Sequence, residues 1–143
     1  MALIVTYAWK KKYQIAEELK DYARFMTLGS IKITPAKIAL SNTGAALTTR
    51  APVIDLRVKT IKKRIPTYDG KSIGLTIYEP KNIKEEKAPA ILYLHGGGFM
   101  IREASHHHKV CRDYAVGAKA KLVFVHYRLA PRYSFPYPVE DCY

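Results

Sequence analysis

The spacing of apolar positions changes twice along the chain. Ile15, Leu19, Tyr22 and Met26 fall at i, i+4, i+7 and i+11, with Glu17, Glu18, Lys20, Asp21 and Arg24 on the other faces. That spacing predicts an amphipathic helix over 13–28, and Gly29 is a fitting stop. Residues 30–52 are mixed. Pro35 and Pro52 are breakers, Ser41-Asn42-Thr43-Gly44 is turn-like, and a short helix is expected at Pro35–Leu40. From about residue 53 the pattern changes. Val58, Ile61 and Ile65 sit in a cationic β-rich segment, and Asp69-Gly70 signals a hairpin turn. Ile73, Leu75 and Ile77 then alternate with Ser72, Gly74, Thr76 and Tyr78, which predicts a half-buried strand ended by Pro80. A charged loop, Lys81–Lys87, follows.

The next run, Ala90-Ile91-Leu92-Tyr93-Leu94, is apolar on both faces, as in a strand buried inside a parallel sheet. Ser105 is the expected N-cap of a helix with Cys111, Ala115 and Ala118 on one stripe and Val110 and Tyr114 beside it. Leu122-Val123-Phe124-Val125 reads as a second fully apolar strand. Strand, helix and strand at this spacing make a crossover unit of an α/β sheet. A Pro-rich loop, Pro131 to Pro138, leads to Val139–Tyr143, which looks like a helical first turn with acidic residues favoured by its dipole.

Composition narrows the classes. The chain has 143 residues, a net charge of +12 and two cysteines, Cys111 and Cys142. Two cysteines make neither a disulfide framework nor a four-Cys zinc site, which fits a reducing, cytoplasmic setting. Met1–Trp9, the longest charge-free apolar stretch, is far short of a membrane span. Lys10, Lys11 and Lys12 follow it, the reverse of a signal peptide's order. The run Arg57, Lys59, Lys62, Lys63 and Arg64 could neutralise phosphates. No nucleic-acid-binding pattern accompanies it, so a solvated strand edge is the expectation.

The chemistry-bearing stretch is His95-Gly96-Gly97-Gly98-Phe99, between a buried strand and a helix. Three glycines leave backbone N–H groups free of side-chain cover, and such groups stabilise a developing oxyanion. A phosphate cradle fits less well. A P-loop ends in Gly-Lys-Ser/Thr, and Gly98 is followed by Phe99-Met100; a dinucleotide fingerprint needs a third glycine where Ile101 stands.

His95–Phe99, followed by Tyr127-Arg128-Leu129-Ala130-Pro131, Phe135-Pro136 and Val139-Glu140-Asp141, resembles the hormone-sensitive-lipase-like carboxylesterases of the α/β-hydrolase superfamily. The resemblance is good over 88–143, loose over 57–80, and positional over 1–52. It implies an antiparallel strand pair leading into a parallel sheet (53–143) behind a helical N-terminal cap segment (1–52). It implies that Gly97 and Gly98 donate the oxyanion-hole N–H groups, that Gly96 lets the loop turn, and that Phe99 and Met100 border the acyl or alcohol pocket. His95, Tyr127 and Arg128 would be structural. Two departures stand out: Arg132 where the family has an acidic residue, and His126 where it often has Asp.

In the family the triad follows the oxyanion loop in the order Ser, Asp or Glu, His. This sequence stops at Tyr143, before the nucleophile elbow would come. The G-x-S-x-G match at Gly70–Gly74 is rejected, because Ser72 follows a turn, opens a strand and precedes the glycine loop. His106-His107-His108 reads as a solvated helix start rather than a metal site, and both cysteines as small apolar packing residues. The implied activity is carboxylic-ester hydrolysis on a small-molecule ester, with no metal, no cofactor and no nucleic acid. The alternatives are an inactive truncated fragment and a small basic interaction protein.

Overall fold

A computed structural model describes residues 34–50, 54–83 and 88–143. The helix expected over 13–28 lies outside them. The chain divides into two compact units, Met1–Thr34 and Pro35–Tyr143. The second unit contains, in order, α1 (Pro35–Arg50), β1 (Val58–Pro66), β2 (Ser72–Pro80), β3 (Ala90–Tyr93), α2 (Ser105–Ala118), β4 (Lys121–His126) and α3 (Tyr137–Glu140).

The strands form one sheet in the order β1-β2-β4-β3. β1 and β2 are antiparallel, with Val58 opposite Pro80 and Pro66 opposite Ser72 across the turn that Asp69-Gly70 foretold. β2 pairs antiparallel with β4, and β4 pairs parallel with β3, Tyr93 opposite Phe124. The parallel pair is joined through α2, as two apolar runs separated by a helical stripe require. On one face Cys111 and Ala115 of α2 pack against Val58, Tyr78, Leu122 and Phe124. On the other, Ile73, Val125 and Tyr127 gather Leu75, Leu129 and Cys142. The fold is α/β, with an antiparallel pair leading into a parallel one. No helix of the described residues is long and apolar enough to cross a membrane.

Four local expectations differ from the structure. The turn-like Ser41–Gly44 is helical, and α1 runs to residue 50 rather than stopping at Leu40. Its threonines bond back to the preceding turn, as Thr43 Oγ1 does to the Ala39 carbonyl at 2.8 Å. Only Ile38 of this helix is buried, while Leu40 and Leu47 face outward. Ser105 is the first helical residue, not the cap. The capping position is Ala104, whose N–H donates to His107 Nδ1 at 3.0 Å. In β2 the expected phase holds at the start, where Ile73 is buried and Ser72 exposed, but inverts further on: Thr76 and Tyr78 are buried, Leu75 and Ile77 only half-buried. The hydroxyls of Thr76 and Tyr78 meet ring nitrogens of His126 and His108 at 2.8 and 2.6 Å, which removes the penalty of hiding them.

The fourth difference concerns β3, a sheet edge among the described residues rather than an enclosed strand. Leu92 is 58% and Leu94 46% exposed. The opposite edge, β1, carries exposed Lys59, Lys62, Lys63 and Arg64. An apolar edge pairs with other chains, and charge repulsion is screened beyond about 8 Å at physiological salt, farther than strand pairing reaches. The 143-residue chain is therefore expected to sediment as species larger than a monomer and to bind a hydrophobic dye. Leu92→Lys should shift it toward monomer. Equal association of both proteins would place the contact elsewhere.

Candidate functional site

The loop from His95 to Ile101 turns on three consecutive residues with positive φ: Gly97 at 134°, Gly98 at 59° and Phe99 at 58°. A Cβ on Gly97 would lie 2.3 Å from the Ile101 carbonyl oxygen, so only glycine fits there. Gly96, expected to let the loop turn, has no such φ, and a Cβ on it would meet nothing within 4 Å. The turning belongs to Gly97 and Gly98. Phe99 holds a left-handed conformation that costs a non-glycine residue on the order of 1 kcal/mol. Its carbonyl accepts the Ala130 N–H at 2.8 Å, and its ring stands edge-on to Tyr127 at 5.8 Å.

The carbonyls of this loop are taken up by donors. His95 O accepts from Tyr127 Oη at 2.5 Å, and Gly96 O from His95 Nδ1 at 2.8 Å. Gly97 O accepts from the N–H groups of Met100 and Ile101 at 3.1 and 2.9 Å. Met100 O accepts from Asn42 Nδ2 at 2.9 Å. In a trans peptide the C=O of one residue and the N–H of the next point opposite ways. Anchoring the Gly96 and Gly97 carbonyls therefore aims the N–H groups of Gly97 and Gly98 away from those donors. Neither N–H has an acceptor among the described residues.

His95 supports this loop from below. It is 4% exposed and stacks on Tyr127 at 4.4 Å and 11°. Burial holds its pKa below the usual histidine range. With Nδ1–H given to Gly96 O, Nε2 is buried without a hydrogen-bond partner, 3.9 Å from Glu103 Oε2. Burial pushes the Tyr127 hydroxyl up to about 12, so it stays a donor at neutral pH.

A polar cluster extends from His95 along the α2 side of the sheet. Glu103 is 6% exposed, and its carboxylate accepts from His126 Nδ1 at 3.2 Å and Arg102 at 3.1 Å. Burial pushes Glu103 up, but the His126 hydrogen bond and the Arg102 charge outweigh it and hold the group down at about 2. His126, the departure from Asp, thus bridges Glu103 and Thr76. His107 and His108 are not merely solvated: His107 caps α2, and His108 is pulled down to about 4 by burial while accepting from Tyr78. No metal-binding group of His, Cys, Asp and Glu occurs among the described residues.

Arg128 locks the segment after β4. Its guanidinium reaches Asp141 at 2.7 and 2.8 Å and Asp69 at 2.7 Å, with the side chain 9% exposed. The Arg128 N–H also donates to Asp141 at 2.9 Å. This ties the β1–β2 turn and α3 to the strand end that places Tyr127 and Ala130. The Arg128 hydrogen bonds, followed by that of Thr67, hold Asp69 well below the usual carboxylate range.

Phe99 is 47% exposed beside the glycines, and Met100 is half-buried. A groove of about 1080 Å³ lies elsewhere, lined by Asn42, Lys62, Arg64, Arg102, Glu103 and His126 among others, and none of residues 96–100 lines it. Ser72, exposed at the start of β2, accepts from the Arg64 guanidinium at 2.7 Å. Arg132, the other departure, lies over the Tyr133 ring at 5.6 Å. Sequence reasoning missed Asn42 and Glu103. Asn42 sits in a stretch that reads as a turn, and a single glutamate before a helix carries no signal of burial.

A family profile described as an alpha/beta hydrolase fold matches residues 91–143. Esterase LipI of Mycobacterium tuberculosis is 44% identical over 72 residues, which are 50% of this chain and 22% of that protein. The crystal structure of EstE1, a thermophilic carboxylesterase from a metagenomic library, superposes with a TM-score of 0.62 at 37% identity, covering 79% of this chain and 37% of that one. Brefeldin A esterase, described as a bacterial homologue of human hormone-sensitive lipase, gives 0.59 at 29% identity, covering 75% and 32%. The chain thus spans well under half the length of each.

The Glu103 cluster yields a pH dependence with a definite sign. A carboxyl held below its ordinary value stabilises the fold above that value and ceases to do so as pH falls through the folded one. Here the window runs from about 4.5 down to about 2. Denaturant unfolding at stepped pH should show a loss of on the order of 3 kcal/mol across this window attributable to Glu103. Glu103→Gln should flatten the slope by that amount. An unchanged slope would mean that the carboxylate is not held by its neighbours.

Proposed function

We propose that this chain, which belongs to the hormone-sensitive-lipase-like α/β hydrolases, supplies the oxyanion-hole half of a carboxylic-ester hydrolase site. The observation that carries the reading is the pair of anchored peptides: the Gly96 and Gly97 carbonyls are held by donors, while the Gly97 and Gly98 N–H groups have no acceptor among the described residues. Two such donors stabilise the charge that develops on a carbonyl oxygen when a nucleophile attacks, because they are already oriented and need no reorganisation. Phe99, half-exposed next to them, borders the acyl or alcohol side of the ester. His95 and Tyr127 hold the loop and take no proton in the reaction. Substrates are small-molecule esters, and two free cysteines suit a reducing compartment such as the cytoplasm. The nucleophile is not Ser72, whose hydroxyl is engaged by Arg64 at the start of β2.

The test grafts residues 91–143 in place of the matching segment of a carboxylesterase relative that has its own triad. Hydrolysis of a short-chain nitrophenyl ester should survive the graft. Gly97→Ala in the graft keeps the N–H but drives a Cβ into the Ile101 carbonyl, and the resulting displacement of the loop should lower kcat by about 100-fold, as much as losing an oxyanion donor costs. The ungrafted 143-residue chain should show no ester hydrolysis that Ser72→Ala removes. A graft whose kcat ignores Gly97→Ala would sink the oxyanion reading, and a Ser72-dependent rate would relocate the nucleophile.

A further inference from the structure

The N–H groups of Gly97 and Gly98 depend on a loop whose C-terminal side has to be fixed as firmly as its start. Tyr127 holds the start at His95 O, and Ala130 holds the middle at Phe99 O. The exit from the loop, Met100 to Arg102, has no strand or helix of its own. Its long-range hydrogen bonds come from one side chain on α1. Asn42 Nδ2 donates to Met100 O at 2.9 Å, and Asn42 Oδ1 accepts the Arg102 N–H at 2.9 Å. The primary amide thus spans two backbone positions two residues apart, using one donor and one acceptor, much as a neighbouring strand would.

We infer that Asn42 is a positioning residue for the oxyanion loop, acting as a side-chain strand that fixes where the chain leaves the glycine turn. The inference rests on the oxyanion reading for its catalytic consequence, though not for the geometry itself. The Gly97 carbonyl is held only by the N–H groups of Met100 and Ile101, which lie in the segment Asn42 grips. If that segment swings, Met100 and Ile101 move, the Gly97 carbonyl is released, and the Gly98 N–H in the same peptide loses its direction. Asn42 is the side chain for this task because it alone among near-isosteres offers both functions. Aspartate keeps the acceptor and loses the donor, and alanine loses both. The helix gives the amide a fixed mount: Thr43 and Thr49, which follow it in α1, bond within the helix rather than outward.

The test uses the whole 143-residue chain and backbone NMR, so it needs no ester turnover. Protection of the Met100 and Ile101 amides from hydrogen exchange should fall about tenfold in Asn42→Asp and further in Asn42→Ala. Order parameters of Gly97 and Gly98 should drop in step. The Arg102 amide proton supplies a signature that a general packing role would not produce. It should remain shifted downfield in Asn42→Asp, where a carboxylate still accepts it, and move upfield in Asn42→Ala. Protection of the Phe124 and Val125 amides in β4 should be unchanged, and Asn42→Asp, with the same shape, guards against a folding failure in the alanine variant. Loop protection equal in all three proteins would overturn the inference. So would an Arg102 shift that moves equally in both variants. Because these readouts report the loop directly, they stand whether or not the grafted segment supports catalysis, and the two readings fail separately.

Discussion

Backbone N–H groups stay available to a reacting oxygen only while the carbonyls of the same peptides are occupied elsewhere. That constraint organises everything around residues 95–102. His95 turns inward to hold Gly96 O, Tyr127 holds His95 O, and the turn at Met100 and Ile101 holds Gly97 O. Arg128 then keeps Tyr127 and Ala130 where they are by joining Asp69 and Asp141, residues far apart in sequence. A buried pair of this kind is weak evidence for stability, but it has an excellent register function. Its effect here is to fix the end of β4 against the loop that follows β3.

The α2 side of the sheet is unusual in how much polarity it hides. Thr76, Tyr78, His95 and Glu103 are all buried and lie near Phe124 and Cys111, which are fully enclosed. The cluster is tolerated because nearly every polar atom has a partner, from the His126 bridge to the hydroxyl that Tyr78 gives to His108. The exceptions among the described residues are Arg102 Nε, Arg112 Nε and, beneath the glycine loop, His95 Nε2. Its lone pair faces the Glu103 side at 3.9 Å, too far for a hydrogen bond. Low basicity at His95 accompanies this arrangement, which suits a residue that holds a loop rather than transfers a proton.

Much of the fold was legible because it rests on local rules. The period-two run after Asp69-Gly70, the two apolar runs either side of a helical stripe, and the glycine loop between them each carry their signal within ten or so residues. What escaped was set by partners distant in sequence. Thr76 and Tyr78 read as the solvent phase of β2 because nothing nearby says that His126 and His108 will satisfy them. Ser41–Gly44 read as a turn because Asn42 has turn chemistry, yet its amide is used by Met100 and Arg102. Gly96, Gly97 and Gly98 are identical in sequence, and only the position of the Ile101 carbonyl distinguishes the glycine that cannot be replaced. At the site, the type of chemistry was readable from the motif, but the mounting that orients it was not.

The two rims of the sheet are unlike. One, β1, bristles with Lys59, Lys62, Lys63 and Arg64; the other, β3, shows Leu92. A strand arriving from any source meets repulsion at the first rim and apolar surface at the second. Sheet growth is therefore vectorial, and it advances on the rim from which the glycine loop departs. Whatever docks beside Leu92 would lie along the strand that leads into His95.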